Sequence, residues 1–305
     1  MTKVVAFGGG RGLSTSLHSL TQLPVDLTAV VTVADNGGSS GVIRDSRPVL
    51  PAGDLRKALV ATASPGRTQT ADLFRHRFDG NDFLTGHPVG NIILTSLLER
   101  HDDPVTAIDR AAELLGCRAR ILPMATSPLD IEADLSQGDT ISTVRGQHQI
   151  AVANGDVEQI RLIPGDTPAT PAAIRAIEEA DWHVFGPGSW FTSVIPHFLL
   201  PELRDAIARS TARRIAVLNL AEENETNGFD TAAHMRVLTQ YAESVRFHHV
   251  ISQRSRNDDG LASLNKAAEA LGAELVTADI AADPVTHDVA ALAALLRTLI
   301  LDGSR

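Results

Sequence analysis

The chain of 305 residues has a single cysteine, Cys117, so no intrachain disulfide can form. Cys117 lies in "LLGCRARIL", between a helical run and a strand, with no metal-ligand spacing around it; it reads as a small buried thiol. Long apolar runs are missing: Ile195 to Pro201 and Val289 to Leu301 are too short or too interrupted to span a bilayer. The N-terminal "MTKVVAFGGG" holds a short strand where a secretory segment would carry an apolar stretch and a small-residue cleavage site. Basic clusters are also missing. Lys and Arg total 27 against 37 Asp and Glu, a net charge of -10, and they are scattered, which argues against nucleic acid as a partner. No internal repeat or low-complexity segment stands out. What remains is a cytoplasmic globular protein with a large core.

What is present is alternation. "KVVAF", "RGLSTSLHSLTQL", "LTAVVTV" and "GDLRKALVATA" exchange β-branched runs for helical ones, the pattern of a parallel sheet with crossover helices. Two helical patterns follow over residues 89–116, separated by the start signal Asp102, Asp103, Pro104. From 117 to 164 closely spaced strands, "CRARILPMA", "LDIEADLS", "DTISTVRGQHQIAVA" and "VEQIRLIP", predict an antiparallel β-rich insertion. The βα alternation then resumes to a closing helix from Asp288 to about Leu301. The fold class is therefore α/β, a Rossmann-like and mostly parallel sheet with helices on both faces, in one domain over 1–305 with 117–164 inserted.

Three loops rich in small residues fall at strand ends. The first strand runs into Gly8, Gly9, Gly10, Arg11 and Gly12, and a helix begins near Leu13. Glycines let the backbone approach a ligand, and the first helical N–H groups favour an anion. Leu13 stands where the third glycine of G-x-G-x-x-G is due, and no Walker Lys-Ser/Thr follows, so both nucleotide fingerprints are absent. A phosphate site and a plain tight turn both fit.

The second strand ends in Asp35, placed like the ribose-binding acid of a Rossmann protein. Asn36, Gly37, Gly38, Ser39, Ser40 and Gly41 then supply backbone donors and two hydroxyls. The third loop, Gly186, Pro187, Gly188, Ser189 and Thr192, again follows a strand. Arg44, and then Asp54, Arg56 and Lys57 in "PAGDLRKAL", offer charge, although Asp54 could simply cap a helix. His87 and Asn91 in "TGHPVGNIIL" sit at another loop-to-helix junction. Trp190 is open to base stacking or to packing, the commoner fate of a Trp beside Phe. His248 and His249 lie in a strand pattern and read as structural.

Taken in order, "FGGGRGLS", "VVTVADNGGSSG", "LPAGDLRKAL", "GHPVGN" and "GPGSWFTSVIPHFL" resemble the gluconeogenesis factor family, which shares the CofD-like superfamily with 2-phospho-L-lactate transferase. The resemblance covers nearly the whole chain. It implies a Rossmann-like sheet with an added β-rich portion, and a nucleotide-type pocket lined by Gly8 to Leu13, Asp35 to Ser40, Arg44, Asp54, Arg56, His87, Asn91, Gly186 to Ser189, Thr192 and, from the next strand end, Asn219. It also implies a UDP-sugar or other nucleotide as ligand, and a regulatory part in cell shape and cell-wall metabolism on gluconeogenic carbon sources. Partners expected are that small molecule, a second copy of the chain, and cell-wall or regulatory proteins.

Two departures from the family pattern stand out. Asp35-Asn36 replaces the usual Asp-Asp, which weakens the case for a metal at that loop. After "VLNL" the chain reads "AEENETNGF", keeping only Glu225 and Thr226 of the familiar segment. A transferase of the 2-phospho-L-lactate type is the alternative, with Mg²⁺ required only there, Arg44 and Arg56 as cations and His87 or Asp35 as base. Its aromatic acceptor needs aromatic walls, and aromatics are 4% of this chain.

Overall fold

Runs such as "KVVAFG" and "DLTAVV" have no polar face, and all but their first residues are buried or half-buried, as strands covered by helices on both sides must be. The computed structural model describes residues 1–138, 140–153, 155–220, 231–254 and 261–303. Its strands are β1 (Lys3–Gly8), β2 (Asp26–Val31), β3 (Arg120–Pro123), β4 (Asp130–Gln137), β5 (Thr140–Arg145), β6 (Asp156–Ile163), β7 (Trp182–Phe185), β8 (Arg213–Val217), β9 (His249–Gln253) and β10 (Glu274–Ala278). Seven of them form one sheet in the order β10-β9-β8-β7-β1-β2-β3, every pairing parallel.

The order explains where a ligand can bind. The chain moves outward from β1 to β2 and β3, then returns to the other side of β1 as β7. Crossovers on the two sides therefore diverge above β1 and β7, and open α/β sheets hold ligands in the crevice so formed. The helix Gly10–Leu20 leaves β1 here and packs on the helices Ala52–Thr62 and Val289–Arg297. Four phenylalanines form one aromatic cluster in the core: Phe7 and Phe185 stack at 4.4 Å, with Phe198 and Phe247 against Phe185. Elsewhere the helix ends follow their signals. Asp103 accepts the N–H groups of Val105 and Thr106, and Gly116 closes the same helix at φ +57°.

Two expectations are corrected inside 117–164. The first predicted strand of the insertion, β3, pairs parallel to β2 and belongs to the main sheet; its buried Ile121 and Leu122 need covering on both sides. The antiparallel sheet is thus β5-β4-β6. "GQHQIAV", predicted as strand, is a turn and a short helix, Gln147–Val152. Gly146, at φ +107°, donates its N–H to Ile131 O at 2.7 Å and turns the chain there, after which Ile150 is buried.

Along β4, Ile131, Ala133 and Leu135 face the core. Asp130, Glu132 and Asp134 alternate with them and pair with Arg145 and Arg161. The excursion closes on itself: Ala125 bridges Ala169, and Thr170 donates to Met124 O at 3.1 Å, so its two ends leave the main sheet side by side.

Candidate functional site

The first and third loops cross so closely that Gly12 leaves no room for a side chain. A Cβ on Gly12 would lie 2.1 Å from Pro187 O and 2.5 Å from Gly188 Cα. Asn219 fixes the crossing from the end of β8: its Oδ1 accepts Gly188 N–H at 2.8 Å and its Nδ2 donates to Gly188 O at 3.1 Å. Ser16 donates to Gly186 O. Ser189 caps the following turn by accepting Thr192 N–H. Arg11 is exposed at the mouth of a cavity of about 530 Å³ that continues from this crossing along Ser14, His18 and Thr286.

Beside Gly9 stands a group of acceptors and hydroxyls. A Cβ there would meet Asp54 Oδ2 and Thr32 Oγ1 at 2.5 Å each and Ser193 Oγ at 3.3 Å. The first two atoms are buried and have no hydrogen-bond partner among the described residues. Asp54 is 2% exposed; Pro51, not Asp54, precedes the helix Ala52–Thr62 as its N-cap, and Asp54 holds Lys57 Nζ at 2.8 Å. Asp35 accepts Gly37 N–H at 2.9 Å. Burial, and then the charge of Asp54, raise Asp35 above the ordinary carboxylate value, outweighing the Gly37 and Ser40 hydrogen bonds. Two carboxylates so placed favour a proton or cation between them. Among the described residues no three His, Cys, Asp or Glu side chains converge on a metal site; a diphosphate-bound Mg²⁺ needs only one or two carboxylates, which Asp35 and Asp54 can supply.

Four motif residues distant in sequence form one hydrogen-bonded chain. Arg56 Nε donates to Asn91 Oδ1 at 2.9 Å, Asn91 Nδ2 donates to Ser39 Oγ at 3.0 Å, and Ser39 Oγ lies 2.7 Å from His87 Nδ1. Arg56 is only a donor, so it fixes the orientation of the Asn91 amide. Ser39 Oγ accepts from Asn91, and its contact with His87 Nδ1 runs in the direction the ring's tautomer sets. With the Ser39 hydroxyl donating to Nδ1, the ring's N–H would be on Nε2, a donor to what lies beyond it. Arg56 is 7% exposed, and burial, with Arg77 nearby, lowers it from the ordinary guanidinium value. Ser40 accepts Gly53 N–H at 3.0 Å, tying the second loop to the same helix.

Several predicted site residues serve as scaffold. Leu13 is a core side chain against Gly8. Arg44 spans from Asp35 O to Asp130 of the antiparallel sheet, so its charge is taken by a carboxylate. Asn36 points to the short helix Gln147–Val152 beside that sheet, bonding His148 and Gln149. Trp190 is 1% exposed and packs in the core. Gly8, Gly10 and Gly38 carry the positive φ values of 155°, 62° and 48°. Glu225 and Thr226 lie outside the described residues. Sequence reasoning missed Thr32 and Ser193, which touch the space beside Gly9, and Gln147; only the first has a signal, a lone Thr at a buried strand end.

A doubly wound α/β protein with its cleft at the switch point of a seven-stranded sheet is the class these features define. The family model described as 2-phospho-L-lactate transferase CofD matches residues 4–300. The chain is 46% identical over 303 residues to the "Putative gluconeogenesis factor" of Mycobacterium tuberculosis, covering 96% of this chain and 89% of that protein. It is 35% identical to the gluconeogenesis factor of Bacillus subtilis over 240 residues, 78% of this chain and 74% of that protein. A crystal structure of a UPF0052 family member from Bacillus halodurans superposes with TM-score 0.86 at 30% identity, covering 97% and 98% of the two chains. This chain belongs to the CofD family, among its gluconeogenesis factors.

Proposed function

We propose that the protein binds a nucleotide sugar, a UDP-sugar in the first instance, across the crossed glycine loops, and acts as a cytoplasmic regulator that couples gluconeogenic carbon supply to cell-wall synthesis and cell shape. The observation that carries the binding half is the chain Arg56–Asn91–Ser39–His87. It gathers a guanidinium and an imidazole in one hydrogen-bonded chain, and in this reading Ser39 donates to Nδ1 so that His87 Nε2–H is a donor to the ligand. A donor there serves an anionic ligand; a general base would need the Nε2 lone pair. The physiological half rests on the family membership.

A thermal-shift screen against UDP-sugars, UDP, GDP, ADP and NAD, each with and without Mg²⁺, tests it. Ligand at 100 times its Kd stabilises the native state by about 2.7 kcal/mol, so UDP-N-acetylglucosamine raises Tm and is recovered intact. A shift confined to GDP with Mg²⁺ overturns this reading in favour of a transferase.

The transferase reading has one observation of its own. A cavity of about 390 Å³ reaches His87 from the side of Phe83, Leu84 and Ile92 and would suit an acceptor with an apolar body. In that reading Asp35, raised by burial, is the base, and Mg²⁺ held through Asp54 would neutralise the diphosphate. Product formation from a nucleotide diphosphate and loss of turnover in Asp35→Asn would establish it. Self-association, also part of the proposal, is read by light scattering on the purified chain.

A further inference from the structure

The short helix Gln147–Val152 belongs to the antiparallel excursion, yet it touches two of the three glycine loops. On one side, the Asn36 side chain bridges to it: Oδ1 accepts His148 N–H at 3.1 Å, and Nδ2 donates to Gln149 Oε1 at 3.0 Å. The backbone N–H leaves no choice of orientation for the Asn36 amide, because only oxygen can accept it. Gly146 makes room for this contact, since a Cβ there would lie 2.1 Å from Asn36 Nδ2. On the other side, the Gln147 amide meets the Thr192 hydroxyl of the third loop at 3.4 Å. The opposite end of that amide is buried with no partner among the described residues. A buried amide end without a partner is costly to leave so, and a ligand group that pairs with it recovers that cost.

Resting on the nucleotide-sugar reading, we propose that this helix is an outer wall of the ligand site, that Asn36 latches it there, and that the Gln147 amide is a specificity-determining contact to an uncharged hydrogen-bonding part of the ligand, its sugar or its base. The helix carries no Lys or Arg, so phosphates are left to the glycine loops and Arg56. Asn36 is a positioning residue: it acts through the wall.

The latch is read without any ligand. Arg145, exposed and next to Gly146, offers trypsin a bond at the hinge of the wall. Asn36→Ala and Asn36→Leu each remove both bonds, so limited trypsinolysis with mass-spectrometric assignment should cut after Arg145 at least fivefold faster in each than in the parent, with the global Tm changed by only a few degrees. Cleavage at the parent rate in both variants overturns the latch. The wall is read with UDP-N-acetylglucosamine and UDP as probes, by calorimetry. Gln147→Ala should weaken at least one of them about tenfold, a loss on both assigning the contact to the nucleoside and a loss on the first alone to the sugar. Binding of both probes with unchanged Kd in Gln147→Ala, and with no protection of Arg145, overturns the wall while leaving the nucleotide reading intact. If neither probe binds the parent, the ligand reading and the Gln147 contact fall together, and the cleavage rates alone decide the latch.

Discussion

The hydroxyl of Ser39 stands 2.7 Å from Nδ1 of His87, a residue 48 positions further along the chain. Because Ser39 also receives the Asn91 amide, it orders the ring that faces the cleft. Ser39→Ala removes a shared partner from two side chains, each hydrogen bond being worth about 1 kcal/mol net. Stability should fall by about 1–2 kcal/mol in urea, and UDP-N-acetylglucosamine should bind roughly tenfold more weakly by calorimetry; an unchanged Kd would show that His87 needs no such ordering.

The donor role of His87 separates two substitutions. Gln keeps an N–H near the position of Nε2, and Ala keeps nothing. His87→Gln is therefore expected to bind within about threefold of the parent and His87→Ala at least tenfold worse, on the usual value of a hydrogen bond to a charged group. Equal losses in both would favour a base or a packing role.

Asp35 gives a pH dependence of known sign. Its native value is raised, by burial first and then by the charge of Asp54, so folding loses stability as pH rises through the carboxylate range toward the native value. Asp35→Asn should unfold at a higher Tm than the parent at pH 7.5, with the difference fading in acid where Asp35 is protonated in both states. In the transferase reading it should also lose turnover. Stability gained with function lost is the expected sign of a strained site.

Two buried histidines set the acid limit. Burial lowers His183 to about 3 and His197 to about 4. Such groups stabilise the fold above their ordinary value of about 6.5, and that stability is lost as pH falls through the native values. For His197 the full loss is on the order of 3 kcal/mol. Urea midpoints should decline from about pH 6 downward, and proton uptake on unfolding at pH 5, measured by calorimetry in two buffers, should reach about two or more; uptake near zero would contradict neutral burial.

Gly12 and Gly66 make a matched pair. A Cβ on Gly12 has only backbone to meet, whereas on Gly66 it meets nothing within 4 Å. Gly12→Ala should cost about 2–3 kcal/mol in urea unfolding and abolish nucleotide binding, and Gly66→Ala should leave both unchanged or slightly improved.

What could be read from the residues follows from how local each cause is. β1, β2 and their glycine loops were legible because burial on both faces and the need for positive φ act on single residues and their neighbours. The start at Asp103 was equally local. β3 was misplaced because its run says how it is covered and not which strand it joins. Gln147–Val152 was missed because a six-residue helix has too few turns to show a period. Asp54 stood as a site residue with a cap as the alternative, because nothing in "PAGDLRKAL" reveals that its carboxylate lies beside Gly9 with Thr32. Arg44 looked like a free cation because its partner, Asp130, lies 86 positions away.

The closed neck between Ala125 and Ala169 separates two kinds of inheritance within one site. Everything that crosses and cradles, from Gly12 on Gly188 to Arg56 on Asn91, is built by the parallel sheet and its helices. Everything that the excursion contributes enters and leaves through two adjacent strands of chain. The excursion can therefore be altered as a unit without disturbing the cradle, and on the proposed reading such a change would alter which ligand is accepted while leaving the glycine loops as they are.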